Sequence, residues 1–198
     1  DKPRFDFYKI LPGEDAEKQA KDSKKGSTAA GKEAFFLQAG AFQNAPDADN
    51  LKAALAQVKS TGAFMSAASP GVVSLFFRNG HYKNEDEYLF AIAEAMRHEY
   101  ETVAKAGITL QIACPDLAMG RHIQYADLDL AAFRKRAQKH VEALNHATTN
   151  IPVEQLRMHV CWGNYEGPHD FDIPLETIIG IVLSARPATI LFEAANPR

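Results

Sequence analysis

Apolar positions along the chain change their period several times, and each change marks an element. "AFFLQAGAF" (34–42) is a short apolar run that predicts a strand. Pro46 and Asp47 then open a helix, with Leu51, Ala54, Leu55 and Val58 on one face, and Ser60, Thr61 and Gly62 end it. "GVVSLFF" (71–77) predicts a buried strand, and "RNGHYKN" (78–84) a turn-rich loop. A long helix is predicted over 85–106. Asn84 caps it with Glu87 three residues on, Leu89, Ile92, Met96 and Val103 form its buried stripe, and Gly107 stops it. "ITLQIAC" (108–114) reads as a strand and "PDLAMGRHIQYAD" as a loop. A second long helix over 129–147 turns Leu130, Phe133, Ala137, Val141 and Leu144 inward. "LRMHVCW" (156–162) is the next strand, and "GNYEGPHDFD" the loop after it. Pro174 begins a helix running to about Ala185, and "ATILFEA" (188–194) is the last strand.

Residues 72–194 therefore alternate strand and helix. The strands are near-continuous apolar runs, as in parallel sheets covered on both faces. This predicts an α/β fold, either doubly wound or a (β/α)8 barrel. Both architectures place active sites at the carboxyl ends of strands. No Gly-rich fingerprint follows any strand, which argues against dinucleotide binding.

Residues 13–34 have a different texture. "GEDAEKQAKDSKKGSTAAGKEA" has almost no large apolar side chain, so it cannot bury enough surface to offset its ordering entropy. It reads as a flexible linker behind a short aromatic segment, "RFDFYKILP". The expected organisation is an extended segment and linker over 1–33, a strand–helix piece over 34–60, and an α/β region over 61–198.

Composition narrows the function classes. Hydrophobic residues make up 46% of the 198, enough to fill a core, and the net charge of −3 lacks the basic footprint of a nucleic-acid binder. No apolar run reaches the ~18 residues of a membrane span, and "DKPRFDFYKILPG" has no signal-peptide pattern. Cys114 and Cys161 are too few for a disulfide framework and suit a reducing compartment.

The candidate chemistry is concentrated in "RMHVCWGNYEGPHDFDIP" (157–174). On a strand, His159 and Cys161 point to the same side, with Met158, Val160 and Trp162 on the other. A thiolate and an imidazole aimed into one space suit zinc, with Glu193 on the next strand as an oxygen donor. A buried thiol beside a hydrogen-bonded core histidine fits the same spacing. Asp116 follows another strand end and could hold an amine, or could be a loop aspartate. Arg121 and His122 could bind a carboxylate or phosphate, or simply face solvent. His169, Asp170 and Asp172 read as a second metal cluster or as loop polar groups positioned by Pro168 and Pro174. His140 and His146 fall on or near the solvated side of the second long helix and receive no role.

Four stretches, "FMSAASPGVVSLFFRNGHY", "CPDLAMGRH", "MHVCWGNYEGPH" and "LFEAANPR", make residues 64–198 resemble the catalytic C-terminal barrel of cobalamin-independent methionine synthases and their shorter relatives. The resemblance implies a TIM barrel, of which residues 61–198 hold roughly four parallel strands, about half. It implies zinc bound by His159, Cys161 and Glu193, a small-molecule thiol acceptor presented as a thiolate, and a methyl donor such as a folate. Asp116 and His122 become the substrate-binding candidates. The family's aspartate in the strand "QIACPD" falls on Ala113, which moves its amine-binding role to Asp116 or removes it. A further cysteine ligand of that family falls beyond Arg198. These implications suit a cytoplasmic methyltransferase.

Residues 4–12 and 34–56, "RFDFYKILP" and "FFLQAGAFQNAPDADNLKAALA", resemble a SPOR-domain protein of the bacterial envelope. That resemblance implies peptidoglycan binding and the periplasm. Together the two resemblances imply two pieces joined between 52 and 63. The alternative function is thus a non-catalytic envelope module attached to an inactive barrel piece.

Overall fold

The computed structural model describes residues 36–39, 45–58, 61–163 and 168–192, with side chains from Leu51 onward. The chain divides into two units, Asp1–Glu33 and Ala34–Arg198, and all the described residues belong to the second. The extended segment and linker expected over 1–33 lie outside the described residues.

Five strands form one parallel sheet: β1 (Phe36–Ala39), β2 (Gly62–Ala68), β3 (Thr109–Ala113), β4 (Leu156–Val160) and β5 (Thr189–Phe192). Their spatial order is their order in the chain. The intervening helices are α1 (Ala45–Ala56), α2 (Pro70–Phe76), α3 (Glu85–Lys105), α4 (Gly120–Ile123), α5 (Leu130–Ala147) and α6 (Leu175–Val182). Short 3-10 turns cover Pro115–Leu117 and Val153–Gln155.

Strand order narrows the choice left by the alternation. Crossovers between parallel strands are right-handed, so a sheet that always advances in one direction carries its helices on one face. The helix contacts agree, since α3 packs on α5 and α5 on α6. A doubly wound sheet needs a reversal of strand order, and the described strands have none. The α/β class is therefore as expected, in a singly wound arrangement.

The first strand of the predicted alternation is displaced. "GVVSLFF" is the helix α2, and the strand lies earlier, at 62–68. Ser69 accepts a hydrogen bond from the Val72 amide at 3.0 Å, and Pro70 occupies the first helical turn. A serine cap followed by proline opens a helix and outweighs the β-preference of Val72, Val73 and Phe76. Asn84 and Asp129 cap α3 and α5 in the same way, accepting from Glu87 and Ala132 amides at 2.8 and 2.7 Å. Gly107 ends the α3 segment with φ 75°, a conformation that favours glycine.

The piece expected to stand apart at 34–60 is continuous with the rest. β1 pairs with β2 from Phe36↔Gly62 to Ala39↔Met65, and Leu51 of α1 joins the common core.

Alternation within the strands separates two faces. Met65, Ala67, Leu110, Ile112, Leu156, Met158 and Val160 meet the helices in one core with Leu89, Phe133, Val141 and Ile178. Each large aliphatic buried there contributes roughly 1.5–3 kcal/mol. The intervening residues Ser66, Ala68, Gln111, Ala113, Arg157, His159 and Leu191 are half-buried on the opposite face. Among the described residues no helix is long and apolar enough to cross a membrane.

Candidate functional site

Three groups of reactive side chains gather where the strands end. The most buried is built on Asp116, which follows β3. Its Oδ1 accepts from Ser69 Oγ at 2.7 Å, and its Oδ2 lies 2.8 Å from His140 Nδ1. His140 Nε2 is 3.3 Å from the Tyr125 hydroxyl, which accepts from Arg136 Nε at 3.2 Å. Arg136 reaches Asp86 at 2.7 Å. One assignment satisfies every contact: Arg136 donates to Tyr125, Tyr125 to His140, and His140 and Ser69 to Asp116. The network ties β2, β3, α3 and α5 together, and its last ion pair lies at the surface.

Gly71 makes this pairing possible. A Cβ there would lie 2.0 Å from Asp116 Oδ2 and 2.5 Å from His140 Nδ1. Beside it, burial and the charge of Asp116 push the Cys114 thiol well up, against a lowering contact from Ser69. Burial likewise raises the Tyr100 hydroxyl, which donates to the Ala68 carbonyl. Tyr125 is also raised by burial, opposed by its bond from Arg136.

The second group ends β4. His159 is half-buried on the face turned away from the helices, as alternation predicts, Cys161 just beyond the strand is half-buried too, and Met158, Val160 and Trp162 are buried. Trp162 Nε1 donates to the Ile173 carbonyl at 2.7 Å, holding the following loop against the strand end. Cys161 is close enough to Cys114 to contribute to the rise of its pKa. Of the two thiols, Cys114 sits in the helix-side core and Cys161 is half-buried.

The third group is His122, His169 and Asp172. Asp172, whose side chain is 3% exposed, lies 3.0 Å from His169 Nδ1 and 3.4 Å from His122 Nδ1. It joins the segment after β3 to the loop after β4.

The predicted site residues thus separate. His159 on β4 and Cys161 just beyond its end are both half-buried, and Glu193 lies outside the described residues. Asp116 is not at a mouth: it is 2% exposed, and both carboxylate oxygens are engaged inside the fold. Holding a substrate amine would require breaking a buried pair. His122 is not a solvent-facing loop residue but is paired with Asp172. Among the described residues, no group of three or more His, Cys, Asp or Glu side chains is placed to hold a metal.

His140, expected on or near the solvated side of its helix, is 2% exposed. Its helical spacing from Ala137 and Leu144 was the available signal, outweighed by its polarity. Gly71 opens the stretch whose apolar run predicts a strand, and Ser69 lies two residues before it, outside any predicted element. No protein-family model matches the chain, and no curated protein matches it either.

Proposed function

We propose that this chain is part of a (β/α)8-type, zinc-dependent thiol methyltransferase resembling the cobalamin-independent methionine synthases. The observation that carries the reading is the pair His159 and Cys161. His159 lies on the side of β4 turned away from the described helices and Cys161 follows at the strand's carboxyl end, where such folds keep their chemistry.

The donor set fits zinc. An imidazole nitrogen and a thiolate sulfur are borderline and soft ligands that this ion accepts. Glu193 is the proposed third donor. Val160 is paired with Phe192, and the residues that follow them in sequence are Cys161 and Glu193. When bound, zinc would lower the pKa of an acceptor thiol so that it reacts as the thiolate. The chain's own residues supply the setting. Trp162 and Ile173 fix the loop beyond the ligands, the Asp116 network fixes the ends of β2 and β3, and the core behind Met158 holds β4 rigid. The sequential sheet, with its helices on one side, supports a barrel segment.

Asp116 has no part in substrate binding in this reading, because its carboxylate is committed to Ser69 and His140. The pairing of β1 with β2 speaks against an independent peptidoglycan-binding module at 34–60.

Metal analysis tests the proposal. The purified chain should bind about one zinc, and Cys161→Ser and His159→Ala should each weaken binding at least ten-fold. Methyl transfer from a methylfolate to a thiol should follow zinc occupancy. Zinc content unaffected by either substitution would remove the basis of the reading. Retention on peptidoglycan would favour the envelope alternative.

A further inference from the structure

The face that carries His159 also carries a cation with no acidic partner among the described residues. Arg157 precedes His159 by two residues, so it lies on the same side of β4, one row deeper. Its guanidinium carbon is 4.2 Å from the centre of the Phe64 ring, a close cation–π contact. Among the described residues no carboxylate pairs with it. Its Nε is buried without a hydrogen-bond partner, and so is Oε1 of its register neighbour Gln111. A buried, unmatched donor on a charged group costs stability.

The two rows of this face differ in character. Across the sheet, one row runs Ser66, Gln111, Arg157 and Thr189, all polar. The row above it runs Ala68, Ala113, His159 and Leu191. His159 is thus followed across β3 and β2 by two methyl side chains, which leave little bulk above the guanidinium. A guanidinium held over an aromatic ring keeps its planar fork of N–H donors for a carboxylate.

We infer that Arg157 is the anchor for an anionic substrate group, so that the molecule reacting at His159 and Cys161 is an acidic one, with its carboxylate about one row below the reacting atom. Gln111 would add a donor by turning its amide. The thiol half of this inference rests on the transfer reading above; the anion half does not.

Three probes separate the two. 3-Mercaptopropionate carries thiol and carboxylate, 3-mercaptopropanol carries only the thiol, and propionate only the carboxylate. For the zinc-loaded chain, calorimetry should show the acid thiol binding at least ten-fold tighter than the alcohol. Arg157→Gln should bring the two within two-fold while leaving zinc content and alcohol binding unchanged. Arg157→Lys, which keeps the charge but not the fork, should retain part of the preference and guards against a folding defect. Equal binding of the two thiols by the wild type, or a preference that survives Arg157→Gln, overturns the proposal. Propionate, followed by NMR shifts without zinc, should bind Arg157→Gln at least ten-fold more weakly than wild type; equal binding overturns the anion site whatever the zinc result. Failure of zinc and alcohol binding alone would overturn only the transfer reading.

Discussion

His140 Nδ1 lies 2.8 Å from Asp116 Oδ2, with each side chain 1% exposed. This contact joins the middle of α5 to the end of β3 and places an ionisable pair inside the region that supports the candidate site. Removing one member of such a pair costs more than the pair contributes, because the other is left buried and unmatched. His140→Ala should lower unfolding free energy by about 3–5 kcal/mol. The double substitution His140→Ala with Asp116→Asn should cost clearly less than the sum of the two singles. Urea unfolding of the four proteins measures both, and strict additivity would mean the two side chains do not act together.

Gly71 should tolerate no side chain. The Cβ of Gly71→Ala would fall 2.0 Å from Asp116 Oδ2. Either the Asp116–His140 contact opens or α2 shifts, and overpacking of this kind costs about 1–3 kcal/mol. Gly80→Ala, where a Cβ would meet nothing within 4 Å, is the control. A midpoint shift at position 71 but not at 80 is the expected result.

The two thiols should differ in reactivity. Burial and the charge of Asp116 hold the Cys114 pKa well above the ordinary thiol range, and a protonated thiol is a poor nucleophile. Brief iodoacetamide treatment of the native protein at pH 8, read by mass spectrometry, should label the half-buried Cys161 first. A raised pKa also makes a stability statement. The folded state holds the Cys114 proton more tightly than the unfolded chain, so this contribution is complete below the ordinary thiol pKa. It is lost as pH rises through the raised value. Cys114→Ala should flatten that alkaline decline in stability.

Trp162, the sole tryptophan, reports on the loop after β4. Its Nε1 is bonded to Ile173, next to Asp172, which faces His122 and His169. Asp172→Asn removes the charge between the two imidazoles and should loosen this loop. A red shift of Trp162 emission, with the far-ultraviolet circular dichroism unchanged, is the expected signature. An unchanged emission spectrum would mean the Asp172 contacts do not hold the loop.

Much of the fold is legible in sequence because it depends on local periodicity. α3 and α5 were predicted to within one residue at each end, since cap, apolar stripe and stop signal agree along both. β3, β4 and β5 were legible as apolar runs between loops. "GVVSLFF" was not, because an apolar run has no period to distinguish strand from helix, and the decision rests on the Ser69–Pro70 start. The placement of His159 on the face opposite Met158 and Val160 was also legible, since strand alternation alone fixes it.

What the sequence could not determine is which distant groups meet. Nothing local says that Asp116 turns inward to His140, that Gly71 makes room for them, or that Arg157 lies across Phe64 from two strands away. Those contacts depend on strand order and register, which are set by packing the whole sheet against its helices. Period and capping are properties of a few consecutive residues, whereas burial and ion pairing are properties of the assembled core.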